Sequence, residues 1–234
     1  MGERTPAGKA GIAVMSQRKE APSYLIPRLP SPVSQQEQAP EVLPLAIEHQ
    51  PWPEYGGLPQ TEVGLWQSAT GLHVRFRVWE ASPRMACLRH NEPVYEDSCV
   101  EFFLQPCPGS DPRYVNFEMN AAGALLLQIG RGRNDRQFLA PAEFSRFAIE
   151  VSGPLRRKNR NLSSEPCWET SFSIPFDWLG SLFPDFRAAP GWEMRGNFYK
   201  CGDRTPSPHY GCWSPMTSAQ PDFHRSCDFG LLVL

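Results

Sequence analysis

Seven cysteines are present, but there is no CxxC pair and no regular spacing among them. The odd count without a framework reads as small core residues or free thiols rather than disulfide partners. No two cysteines sit at zinc-finger spacing, which argues against zinc. Long runs of one charge are also missing. The formal net charge is −2 and the single basic cluster is LRRKNRN at 155–161. That cluster lies between two strand-like segments and reads as a solvated loop, so a nucleic-acid partner has little support. No apolar run approaches the roughly 18 residues of a spanning helix, so no membrane partner is expected. The first twenty residues, MGERTPAGKAGIAVMSQRKE, hold no apolar core of signal-peptide length. A cytoplasmic location is the expectation. A start at Met15 would expose no signal either, and an extracellular location follows only if the true N-terminus differs.

What is abundant is proline and glycine, 25 and 18 residues. Proline is excluded from helix interiors and central strands, so this density suits short strands joined by irregular connections. A hydrophobic content of 41% with 12% aromatics supports a sizeable core within 234 residues, a length that all-β domains often use as one unit. Residues 1–40 are polar and Pro-rich. They are expected to be a disordered stretch followed by an extended lead-in, with one domain over 41–234.

Period-2 patterns begin after about residue 42. HVRFRVWE at 73–80 points Val74, Phe76 and Val78 one way and His73, Arg75, Arg77 and Trp79 the other. SCVEFFLQP at 98–106 places Val100, Phe102 and Leu104 on one face. YVNFEMN at 114–120 buries Val115, Phe117 and Met119 and presents Asn116, Glu118 and Asn120. GALLLQIG at 123–130 follows a short turn, which predicts a hairpin. FAIEVSG at 147–153 pairs with CWETSFSIP at 167–175 around the basic loop. FDWLGSLF at 176–183 is the one short helix, with Pro175 at its start. MRGNFYKCG at 194–202 and FGLLVL at 229–234 are the last strands. The fold class is therefore all-β, a single-domain antiparallel β-sandwich with one short helix.

Alternation sends Glu101 and the row Asn116, Glu118, Asn120 to one side of neighbouring strands. An ordinary solvated sheet face would look the same. The aromatic neighbours Tyr95 and Trp213 favour a sugar site, because flat rings stack on apolar sugar faces while carboxylates and amides pair with hydroxyls.

The motifs VYEDSCVEFF at 94–103, NFYKCGD at 197–203, PHYGCWSP at 208–215, PDFH at 221–224 and DFGLLVL at 228–234 occur in the order found in family 9 carbohydrate-binding modules, and the chain resembles that family over about 45–234. The resemblance implies a jelly-roll or DOMON-like sandwich that holds a mono- or oligosaccharide or glycan chain end between two aromatic rings without cleaving it. By position, Trp213 falls at one stacking ring and Tyr95 at the other, where the family has Trp. Glu101 falls at a sugar-contacting carboxylate, Asn116 and Glu118 near the polar contacts of the next strand, and Lys200 where the family has an amide. Lys200 and Arg131 suggest an acidic sugar such as a uronic acid. No cofactor is expected. A structural calcium ion, frequent in the family, stays open, although no Asp-rich loop of EF-hand type is present.

The remaining polar residues have bland readings. Asp97 and Ser98 brace or cap a strand entry as readily as they touch ligand. Asp203 after Gly202 makes an Asx-type turn. His209 and His224 brace Pro-rich loops. Arg133 and Arg136 are solvated, and Trp66, Trp168, Trp178 and Trp192 pack. Two other functions compete. A glycoside-active enzyme would draw on Glu101, Glu118 and Asp97 as paired carboxylates. A domain binding haem b would draw axial ligands from Met85, Met119, His209 and Lys200.

Overall fold

A computed structural model describes residues 21–29, 42–153 and 168–234. The basic cluster at 155–161 and the expected disorder of residues 1–20 lie outside the described residues. In chain order the strands are β1 (Ser23–Leu25), β2 (Leu45–Ala46), β3 (Thr61–Gln67), β4 (Gly71–Val78), β5 (Cys99–Gln105), β6 (Tyr114–Asn120), β7 (Leu125–Gly130), β8 (Gln137–Phe138), β9 (Glu150–Ser152), β10 (Trp168–Pro175), β11 (Glu193–Cys201), β12 (Tyr210–Cys212) and β13 (Gly230–Val233); the helix α1 is Phe176–Leu182. One sheet runs β1-β13-β11-β5-β6-β7-β8 with β12 added to β11, and the other runs β2-β3-β4-β10-β9. The molecule is a β-sandwich.

The core between the sheets is built from the alternation visible in the sequence. Leu72, Val74, Phe76 and Val78 of β4 meet Val100, Phe102 and Leu104 of β5, Val115, Phe117 and Met119 of β6, and Phe198 of β11. Phe102 stacks on Phe198 at 4.5 Å and Phe117 on Phe172 at 5.3 Å. Each fully buried large side chain contributes about 1.5–3 kcal/mol of transfer free energy. Helix α1 starts after Pro175 and buries Trp178 and Leu179. Trp178 packs edge-on against Phe147 at 4.9 Å and donates from Nε1 to Glu143 at 2.9 Å.

The β6–β7 hairpin is real, and Asn120 makes its turn. Its Oδ1 accepts from the backbone of Ala122 and Ala124, and Gly123 takes φ +84°, where a side chain would be strained. Asn120 Nδ2 donates to Asp97, so this member of the expected polar row is a brace.

Two features add to the sequence reading. Ser23–Leu25, placed in the lead-in before residue 41, pairs parallel to β13, and Ile26 is in the core. A segment joined to its partner by the whole chain is free of the hairpin constraint that makes neighbours antiparallel. The polar side of β5, β6 and β11 is also not a solvated face. Trp52, Val94, Phe223 and Phe229 cover it and build a second apolar cluster with Phe103, Tyr114 and Tyr199.

Candidate functional site

Where that cover opens, a cavity of about 260 Å³ reaches down to the sheet. Its floor comes from strand register. Glu101 on β5 stands directly opposite Glu118 on β6, and Cys201 on β11 stands directly opposite Cys99 on β5. Directly opposed side chains have Cβ atoms roughly 4.5–5.5 Å apart, so the two carboxyl groups are forced together. Both are 3% exposed.

Burial pushes the Glu101 carboxyl well above its ordinary range, and the neighbouring Cys201 and Glu118 add to the shift. The Cys201 thiol donates to Glu101 Oε1 at 3.0 Å. Burial lifts Glu118 to about 7, against the opposing pull of Arg136 and a hydrogen bond from Asn116. That bond, Asn116 Nδ2 to Glu118 Oε1, is 2.7 Å, and Arg136 Nη1 lies 3.6 Å from the same oxygen.

The walls carry three aromatic rings, Tyr95, Tyr210 and Phe223. Tyr95 follows Val94 in a short 3-10 turn and is 39% exposed. Tyr210 stands opposite Cys201 in the β11–β12 pair. Arg133, Arg136, Asp203 and Asp222 complete the charged lining. Arg133 is held by Asp222 at 3.1 Å, and Arg136 donates to Gln128 at 2.6 Å. Burial raises the Asp203 carboxyl, and Tyr210 hydrogen-bonds to it. His224 pairs with the Tyr114 hydroxyl at 2.9 Å; burial first, then Arg136 and Arg133, keep its imidazole neutral.

Of the seven residues expected at the site, three line the cavity: Tyr95, Glu101 and Glu118. Asn116 is fully buried behind them and orients Glu118. Arg131 is not in the lining, and its backbone N–H is engaged by Asp135 in the loop after β7. Lys200 needs correction. It shares the inner face of β11 with Phe198 two residues before it, whereas Tyr199 and Cys201 face the other side. Its ammonium is fully buried, bonded to His209 Nε2 at 2.8 Å and the Cys201 carbonyl at 3.0 Å, with Glu80 at 3.4 Å. Trp213 needs the same correction. It is 8% exposed and packs edge-on against Phe198 at 5.8 Å, over Gly230, where a Cβ would come within 2.4 Å of its ring. It is a core ring.

Arg133, Arg136, Asp203, Tyr210, Phe223 and His224 also line the cavity, and no alternation in the sequence marks them as site residues. Their available signal was position, because each lies in a loop or short strand that follows a polar-faced strand. For the enzyme alternative, Glu101 and Glu118 do meet, but Asp97 is fully buried and held by Arg84 at 3.1 Å and by Asn120. For the haem alternative, His209 and Lys200 are bonded to each other and Met119 accepts from the Thr170 hydroxyl, so these groups are engaged within the fold.

The signature of carbohydrate-binding family 9 matches residues 35–234. The chain belongs to this family. Its function is accordingly non-catalytic carbohydrate binding. Among solved structures, a candidate carbohydrate-binding protein from Bacteroides uniformis ATCC 8492 is similar at TM-score 0.73 and 27% identity, covering 91% of this chain and 99% of that one. A family 9 module from Caldicellulosiruptor kristjanssonii in complex with cellotriose superposes at TM-score 0.60 and 13% identity over 90% of this chain and 92% of that one. The same organism's family 9 module with glucose gives 0.59 and 13% over 90% and 94%. No curated protein sequence matches the chain. At 13% identity the two complexes speak for the sandwich alone, and the residues of this family 9 domain must be read from its own geometry.

Proposed function

We propose that this family 9 domain holds one end of a neutral glycan in the cavity above β5, β6 and β11. The observation that carries the reading is the register-opposed pair Glu101 and Glu118 at the base of a cavity walled by Tyr95, Tyr210 and Phe223. Carboxyl oxygens accept from sugar hydroxyls, guanidinium groups donate to them, and the rings offer an apolar platform. A volume of about 260 Å³ is below the roughly 300–1,000 Å³ typical of drug-sized ligands, which suits a terminal sugar unit rather than a threaded chain.

Neither Lys200 nor Arg131, the two cations that suggested an acidic sugar, lines the cavity. Four carboxyl groups do line it, and each of the two lining arginines has an acidic neighbour.

The test is titration calorimetry with neutral and acidic mono- and oligosaccharides, glucose and cellotriose first. Neutral sugars should bind more tightly than uronic acids. Tyr95→Ala should weaken binding about tenfold, the equivalent of roughly 1.4 kcal/mol. Glu118→Gln should weaken it about 10–100-fold, as expected on losing a charged hydrogen-bond acceptor. Unchanged affinity in both variants would remove the cavity from the sugar site.

A further inference from the structure

The base of the cavity holds a second constellation, which shares Glu101 with the proposed sugar site and adds two buried thiols. Cys99 Sγ, Cys201 Sγ and a Glu101 carboxyl oxygen all lie within 4.8 Å of one another, and all three side chains are buried. The absence of closely spaced cysteines argued against zinc, but β5–β11 register joins two that are 102 positions apart by standing Cys201 opposite Cys99. Glu101 follows Cys99 by two residues and therefore points the same way. The three donors are thus fixed by two hydrogen-bonded strands, not by loops.

The cations nearby are engaged elsewhere. Arg136 pairs with Glu118, and Lys200 pairs with Glu80 on the other side of the sheet. Three acidic groups converge in a buried site, while Arg136 and Lys200 serve other carboxylates. Two sulfurs and one oxygen are a soft, borderline donor set that suits zinc and similar thiophilic divalent ions and not calcium or magnesium. Tetrahedral ligands about 2.0–2.3 Å from a central ion lie roughly 3.3–3.8 Å apart, and these three donors fall within 4.8 Å of one another. Glu101 and Cys201 also line the cavity, whereas Cys99 lies behind them.

We propose that Cys99, Cys201 and Glu101 form a binding site for a thiophilic divalent cation such as Zn²⁺, with its fourth coordination position open to the cavity. Binding would replace the two thiol protons and any carboxyl proton, which leave to solvent. The fourth position would take a water or a ligand hydroxyl. This goes beyond carbohydrate binding and does not depend on it, because the site is defined by the protein's own donors.

The test is a Co²⁺ titration of the reduced full chain without sugar, followed by displacement with Zn²⁺. The expected result is a saturable thiolate-to-cobalt charge-transfer band at a single equivalent, erased by Zn²⁺. Cys201→Ser and Cys99→Ser should lose the band, and Cys227→Ser, a change at an exposed cysteine, should keep it. Glu101→Gln, which preserves side-chain shape and guards against a folding failure of the serine variants, should weaken Co²⁺ binding by at least about tenfold. Near-ultraviolet circular dichroism confirms that each variant is folded. No band from the folded wild-type chain, or a band that survives in Cys201→Ser, overturns the proposal. Because the readout needs no sugar, a negative result here leaves the carbohydrate reading to its own calorimetric test.

Discussion

Lys200 and Glu101 sit one strand apart on opposite faces of the same sheet, and both are buried. Lys200 has a full set of partners: Glu80, His209 and the Cys201 carbonyl. Glu80 is in turn held by Ser98 at 2.7 Å and by Trp168 Nε1 at 3.2 Å. Among the described residues Glu101 receives a hydrogen bond from a thiol, and it faces a second carboxyl group across the strand. A buried charge whose partners come from the fold itself is architecture. A buried acid left with a cavity above it and another acid beside it is available to an incoming ligand. The difference separates the structural half of this sheet from the half that carries the proposed site.

The largest effects should come from breaking the architectural side. Glu80→Ala would leave the Lys200 ammonium buried without its counter-ion and should destabilise the fold by about 3–5 kcal/mol, measured by urea unfolding. Trp213→Ala should cost about 3–5 kcal/mol through the cavity it leaves. If Trp213 is a core ring, the folded fraction should still bind sugar with unchanged affinity. A selective loss of affinity with intact stability would return it to the site.

A pH series sharpens the same contrast. Lys200 can only donate and the Ser207 carbonyl can only accept, so His209 carries its proton on Nδ1, which bonds that carbonyl at 2.8 Å, and accepts at Nε2. Burial, then the Lys200 charge, lowers this histidine from 6.5 to about 4, with Glu80 and the Ser207 carbonyl opposing. The unfolded chain therefore binds more protons between these values. The contribution to stability is complete above pH 6.5 and is lost as pH falls toward 4. It is on the order of 3 kcal/mol. His209→Gln should flatten the unfolding free energy over that window.

On the functional side the sign reverses. Glu101→Gln in metal-free protein should raise stability by about 1 kcal/mol, because it removes a poorly partnered acid without changing shape. A clear loss of stability would show that Glu101 is as architectural as Lys200.

Most of the sandwich was legible because its strands alternate strictly. β4, β5 and β6 declared both their core residues and their opposite faces, and Glu101 and Glu118 followed from that alternation. Parity would have settled Lys200 as well, since it lies two residues after Phe198 and so shares its inner face. The roof over the polar face could not be read. Trp52, Tyr210, Phe223 and Phe229 reach it from loops and a three-residue strand, which carry no period. The arginines of GRGRNDRQF are distinguished only by where the loop ends, and Arg133 and Arg136, not Arg131, reach the cavity. The Cys99–Cys201 juxtaposition is a product of β5–β11 register, and sequence spacing does not encode it.

The most direct test of the central claim is titration calorimetry of a neutral oligosaccharide against wild type, Glu118→Gln and Trp213→Ala in parallel. Affinity reduced about 10–100-fold in Glu118→Gln and unchanged in folded Trp213→Ala is the predicted result. Full affinity in Glu118→Gln with loss in Trp213→Ala would contradict it and move the sugar away from this cavity.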